Sequence, residues 1–200
     1  MTISYAVPSS NRIRDLAAND AAAFTNQAVT NTTAAEPPPP GASQTFTPSD
    51  DAQVKSNSTN TNYGGDTAIR LREDPDTGTT YRSYVKFNVS GVSGATVTSV
   101  KLRLYVTTKS SNTAFVHAVS NSWNESTITW NNAPAFGATA IGSGVPSTAD
   151  TWLEIELGPS AISANGSYSF GLKSNGTSSA IFSSKEGSQP PQLIVTTSAP

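Results

Sequence analysis

The chain contains no cysteine, which removes disulfides, thiolate nucleophiles and zinc–thiolate centres together. It contains a single histidine, His117, so a histidine-rich metal site is excluded and a Ser-His-Asp triad has one imidazole to draw on. Charged residues make up 13% of the chain and the formal net charge is -2, so no strong electrostatic pull on DNA or RNA is expected. No stretch of 18 apolar residues occurs, so no membrane insertion is expected. What the sequence does have is Ser, Thr and Asn, at 70 of its 200 positions. A hydrophobic share of 36% is lean for a helical protein but enough for a sandwich whose strands are half exposed. A body of about 150 residues can bury roughly 70% of its unfolded surface. These features describe a soluble, weakly charged, hydroxyl-rich binding or structural module.

A break falls at Ala34-Ala35-Glu36-Pro37-Pro38-Pro39-Pro40-Gly41. Four consecutive prolines followed by glycine read as a stiff, extended spacer. The expected organisation is a front piece over 1–33, a proline-rich linker over 34–43 and a body over 44–198. The front piece, too short for a core of its own, has one alternating run, Ile3 to Val7, and Gln27 to Thr30 before the linker. Ala17 to Phe24 suits either a helical turn or two strand ends joined by a loop.

The body reads as short strands separated by Gly, Asn and Ser turns: Ala52 to Val54, Ala68 to Glu73, Tyr81 to Val89, Ser99 to Thr107, Ala114 to Val119 and Thr127 to Trp130. Further strands are expected at Trp152 to Leu157, Tyr168 to Lys173, Ala180 to Ser183 and Gln192 to Thr196, with one helical turn at Ser160 to Asn165. Without helices to cover a parallel sheet, this predicts an all-β antiparallel β-sandwich of the jelly-roll type.

Side chains alternate between the two faces of a strand. The alternation turns Ile69, Leu71, Val85, Phe87, Val89, Val100, Leu102, Leu104 and Val106 inward, with Tyr81 and Ser83. It turns Arg70, Arg72, Arg82, Tyr84, Lys86, Lys101, Arg103 and Tyr105 outward, and Lys55 ends the first strand. Two readings of this basic, tyrosine-interleaved set stand side by side. One is an ordinary solvated face that discourages edge pairing. The other is a cationic, aromatic platform for an anionic partner, since the arginine fork suits carboxylates and the tyrosine ring suits a sugar face.

Residues from Asp51 onward resemble the DNRLRE-type domain grouped with carbohydrate-binding module family 96. The likeness is carried by Asp51-Ala52-Gln53-Val54, Asn60 to Gly64 and Ile69-Arg70-Leu71-Arg72, then by Arg82 to Ser90 with Gly94-Ala95-Thr96-Val97 and Leu102-Arg103-Leu104-Tyr105. Ser122 to Pro134, Ser184-Lys185-Glu186 and Pro190 to Val195 complete it, in the family's order over residues 45–197. Asn88 stands where the family usually has Asp, and the turn Asp74 to Gly78 is more acidic than usual. The resemblance implies a non-catalytic jelly-roll module of a larger secreted or cell-surface protein, in an extracellular setting. It implies binding of alginate, a uronic-acid polymer, through basic residues near the first strands. Carried over by position these are Lys55, Arg70, Arg72 and Arg82. Family members also occur in proteins with no known sugar ligand, so a structural spacer or adhesin module is the alternative.

The front piece resembles the last third of an SWM-type Ig-like bacterial surface repeat, through Ile3-Ser4-Tyr5, Ile13 to Asn19 and Ala22 to Asn31. That resemblance implies a chain that begins inside a domain and is covalently linked to other domains.

Other positions have bland and sharp readings. Trp123 and Trp130 suit packing more than sugar stacking, whereas Trp152, which alternates with Glu154 and Glu156 opposite Leu153, Ile155 and Leu157, is a secondary sugar platform. Glu154 and Glu156 share a face as glycosidase carboxylates do, but without a surrounding acid–base set, so no enzyme is expected. Asp74-Pro75-Asp76-Thr77-Gly78 opens like a calcium loop but lacks the rest of one and reads as a turn. No cofactor is expected; Asp50, Asp51 and Asp66 are the residues that could supply a structural calcium. His117 lies within a strand and reads as structural.

Overall fold

The computed structural model describes residues 2–10, 12–28 and 42–198. The chain divides into two compact units, Met1–Pro37 and Pro38–Pro200. In the first, β1 (Thr2–Tyr5) and β2 (Phe24–Ala28) pair antiparallel. Arg12 and Arg14 converge on Asp20 at 2.7 and 2.6 Å. Ala17 to Ala23 is turn and extended chain, not helix, and no described side chain of this unit is buried. The proline-rich linker expected over 34–43 lies outside the described residues apart from Ala42 and Ser43.

The second unit is an antiparallel β-sandwich. Its strands are β3 (Ser43–Phe46), β4 (Pro48–Lys55), β5 (Ala68–Leu71), β6 (Tyr81–Val89), β7 (Val97–Thr108) and β8 (Ala114–Val119). They continue with β9 (Gly142–Gly144), β10 (Thr151–Glu156), β11 (Gly166–Ser174), β12 (Ala180–Ser183) and β13 (Gln192–Thr197). One sheet runs β3-β13-β7-β12-β5 with β10 on the other edge of β7, and the second runs β4-β6-β11-β8-β9. From β3 to β8 the chain alternates between the sheets at every strand, as in a jelly roll. A 3-10 turn at Pro159–Ala161 lies one residue ahead of the helical turn read from the sequence. No helix among the described residues is long and apolar enough to cross a membrane.

The inward residues form the core expected from alternation. Ile69, Leu71, Val85, Phe87, Leu102, Leu104, Val116, Ile155, Phe170, Leu172, Phe182 and Leu193 pack between the sheets, with the Phe87 and Phe170 rings 6.3 Å apart. Each fully buried side chain of this size contributes about 1.5–3 kcal/mol relative to exposure.

Thr127 to Trp130 is not the strand expected. Asn124 and Asn132 hold it as turns: Asn124 accepts the Ser126 N–H at 2.9 Å, Asn132 accepts the Thr129 N–H at 2.6 Å and donates to the Thr127 carbonyl at 2.9 Å. Local side-chain bonds of this kind offer the backbone an alternative to a ladder. The whole segment between β8 and β9 lies over the outer face of the second sheet. There Trp123 and Ile128 form a second buried cluster with Ala52, Val54 and Tyr84, flanked by Trp130, Ala133 and Phe136.

Candidate functional site

Of the basic residues of the sandwich, several are matched to carboxylates. Arg72 pairs with Asp74, Lys86 with Asp50, Lys101 and Arg103 with Glu154, and Lys185 with Glu125 and Glu186. Lys55, Arg70, Arg82, Lys109 and Lys173 have no carboxylate partner among the described residues. The unmatched charges other than Lys109 gather at two places.

The first is Tyr81, at the start of β6 and half-buried. Lys55 is its register partner on β4, and Arg72 forms an isolated bridge with it from beyond β5. Residues paired this way present their side chains on one side of the sheet. The Arg70 guanidinium carbon stands 4.8 Å from the Tyr81 ring centre and the Lys55 ammonium 5.5 Å from it. The alternation of β5 and a hydrogen bond from Ser83 Oγ to the Arg70 carbonyl (2.8 Å) hold that strand against β6. Arg72 is committed to its turn: Asp74 is buried, accepts the Thr77 N–H at 3.1 Å and pairs with Arg72. The bonds from Thr77, then the Arg72 charge, hold the Asp74 carboxyl below its usual range. The Asp74 to Gly78 segment is thus a turn closed on an arginine.

The second place is on the opposite face of β6. The Arg82 guanidinium carbon lies 4.7 Å from the Trp130 ring centre and 5.4 Å from that of Phe136, and Lys173 Nζ lies 5.6 Å from Phe136. Two hollows, of about 290 and 460 Å³, meet at Arg82 and Lys173. A glycine on β11 makes room for the ring, since a Cβ at Gly171 would stand 2.8 Å from Phe136. Lys173 and Phe136 were not singled out by sequence reasoning. The signal for Lys173 was there, as the outward residue of β11 in phase with Ser169 and Gly171; Phe136 lies in irregular chain that carries no period.

Tyr84 requires correction. Alternation puts it on the outer face, and it is there, but the β8–β9 segment covers it and leaves it 1% exposed. Its hydroxyl donates to the Pro134 carbonyl at 3.2 Å, and its ring packs on Trp123 and Phe136 at 6.0 and 5.6 Å. Burial pushes the Tyr84 phenol up to about 12, against the opposing influence of the Arg82 charge. Tyr84 is therefore a core residue and offers no ring to a ligand. Trp123 is buried as well and donates its Nε1–H to Ser169 at 3.0 Å, which is the packing role read for it.

Trp152 stands on the other sheet, half-buried, edge-on to Tyr105 at 5.4 Å, with the Arg103 guanidinium 4.5 Å from its ring centre. Arg103 is held there by Glu154 at 3.0 Å and Gln192 at 2.8 Å. The Lys101 hydrogen bond is the main cause holding Glu154 below its ordinary range. A glycosidase acid needs the reverse shift. Glu156 accepts the Ser99 hydroxyl at 2.7 Å.

The calcium set expected at Asp50, Asp51 and Asp66 does not converge. Asp50 pairs with Lys86, and Asp66 accepts Gln53 Nε2 at 2.7 Å. The carboxylates that meet are Asp51, Glu125 and Glu186, with oxygens within 4.8 Å of one another. Lys185 supplies the positive charge between them, pairing with Glu125 at 3.1 Å and with Glu186.

Residues 42–197 match the model of carbohydrate-binding module family 96. A search of curated proteins finds no match. Among solved structures, the chain is similar to a glycoside hydrolase family 43 arabinoxylan arabinofuranohydrolase from Bacillus subtilis in complex with cellotetraose, at 14% identity and TM-score 0.31. That alignment covers 94% of this chain and 33% of the other, so the chain spans about a third of that protein's length. It is also similar to the carbohydrate-binding module CBM6cm-2 from Cellvibrio mixtus lichenase 5A in complex with cellotriose, at 13% identity and TM-score 0.30, covering 74% and 98% of the two chains. The family match runs from the residue before β3 to the last residue of β13, the whole of the sandwich, and the chain belongs to carbohydrate-binding module family 96.

Proposed function

We propose that the sandwich binds an acidic polysaccharide of the uronic-acid, alginate-like type, without catalysis. In this reading it acts outside the cell as one part of a larger secreted or cell-surface protein. The observation that supports it is the convergence of Lys55 and Arg70, both without carboxylate partners, on the half-buried Tyr81 ring. The arginine fork donates two parallel hydrogen bonds to a carboxylate, and the tyrosine offers a flat apolar edge to the sugar behind it. Arg72 borders this patch while holding the Asp74 turn in place.

Affinity electrophoresis in gels containing alginate, pectin, xylan or no polymer tests the reading. Retardation by alginate or pectin is expected, and it should weaken in a Lys55→Ala, Arg70→Ala double variant. Equal mobility in every gel would overturn it in favour of a structural spacer.

A further inference from the structure

The hollow behind β6 has a chemistry the Tyr81 patch lacks. His117 on β8 is 4% exposed, and its Nδ1 lies 2.8 Å from the carbonyl oxygen of Gly137. A carbonyl can only accept, so the neutral imidazole carries its proton on Nδ1 and keeps a lone pair on Nε2. That Nε2 is buried with no hydrogen-bond partner, although His117 lines the 460 Å³ hollow together with Arg82, Lys173 and Glu73. Arg82 Nε is likewise buried without an acceptor, but so are the Nε atoms of Arg70 and Arg72, so the imidazole is what sets this hollow apart. Buried polar atoms without partners are uncommon and mark places where something outside the chain completes the bonding. The volume is within the range of small-ligand sites.

We infer that this hollow is a second sugar site, separate from the Tyr81 patch, which takes a uronate unit with its carboxylate on Arg82 and Lys173 and a hydroxyl donating to His117 Nε2. Lys173 follows Leu172, the register partner of Ser83, and so lies across from Arg82 on the neighbouring strand; both cations stand near the Phe136 ring, at 5.6 and 5.4 Å, and one anionic group can face both. Glu73, which also lines the hollow, accepts the Thr80 hydroxyl at 3.4 Å and is a further acceptor for a sugar hydroxyl. A wall that both donates and accepts suits a sugar, whose hydroxyls do both, and two cations against one carboxylate select the acidic sugar. The inference rests on the carbohydrate-binding reading but not on the Tyr81 patch.

Because His117 is the chain's single histidine, one set of imidazole resonances reports on the hollow. The test is an NMR titration of the full chain with trimannuronate and trigalacturonate, with neutral mannotriose as control. A saturable shift of the His117 Nε2 signal by a uronate trimer is expected. The shift should persist in the Lys55→Ala, Arg70→Ala variant, and the affinity it reads should weaken about tenfold in Lys173→Ala, the loss of one charge-assisted contact. Lys173→Gln, which keeps the stem on Phe136, should weaken it similarly with the melting temperature unchanged. An unmoved His117 signal alongside polymer retardation that the Tyr81-patch variant abolishes would overturn the second site and leave the proposed function standing. An equal shift with mannotriose would overturn the uronate assignment. No shift and no retardation would overturn both.

Discussion

Asp51 on β4 accepts the backbone N–H of Lys185 through Oδ2 at 2.6 Å, while its Oδ1 is buried without a partner. Burial is the largest influence on this carboxyl and pushes it up to about 7; the Lys185 bond opposes the rise, and the charges of Glu186 and Glu125 add to it. A carboxyl whose pKa is raised by folding holds its proton more tightly in the native state than in the unfolded chain. Its contribution therefore favours folding in acid and is lost as pH climbs from the ordinary value of 3.8 toward about 7. Asp51→Asn, which keeps an acceptor for Lys185, should be more stable than the native protein above neutrality, by on the order of a few kcal/mol, and the gap should close as pH falls toward about 4. A variant that melts lower throughout would show that the ionised carboxylate is stabilising.

Tyr84→Phe removes one hydroxyl from beneath Pro134 and should cost about 1 kcal/mol in urea unfolding. Tyr84→Ala empties the second cluster and should cost about 3–5 kcal/mol. Were Tyr84 a solvent-facing ligand contact, both variants would unfold like the native protein.

Gly171→Ala would place a methyl 2.8 Å from both Phe136 and Val119. The expected loss is about 1–3 kcal/mol, with displacement of the ring over which Arg82 and Lys173 sit. Near-ultraviolet circular dichroism and the melting temperature together read both effects. An unchanged melting curve would mean that the β8–β9 segment yields freely.

Trp152→Ala should leave retardation in alginate gels unchanged, because Trp152 is engaged within the closed Arg103–Glu154–Gln192 set. Retardation by the native chain should fall as salt rises, since exposed charges are screened within about 8 Å at physiological ionic strength. Loss of binding in Trp152→Ala would relocate the sugar to that face.

Much of the sandwich was legible in the sequence. Tyr81–Val89, Ala114–Val119 and Ala180–Ser183 begin and end where alternation and turn residues placed them, because a half-buried strand writes its period into its side chains. Tyr84 went wrong for a reason the same period cannot reveal: alternation identifies the face, not whether a distant segment lies over it. The charge matching was equally hidden. Arg72 and Asp74 are two residues apart, but Arg103 meets Glu154 and Lys86 meets Asp50 through pairing between strands far apart in sequence. Which cations remain unmatched emerges once the register exists. Phe136 and Asn132 belong to irregular chain, where local hydrogen bonds and not periodicity set the path.

Tyr81 and Arg82 are adjacent residues whose side chains serve opposite faces of one strand. The register that separates them is enforced by Val85, Phe87 and Val89, which are buried a few residues further along. A slip of one residue would exchange every side chain of β6 between faces, sending Arg82 and Lys86 into the apolar interior and the core residues to the outer face. Both clusters of unmatched cations therefore have no alignment of their own to maintain. Their geometry is inherited from the core, so the aim of the basic side chains is as durable as the fold itself.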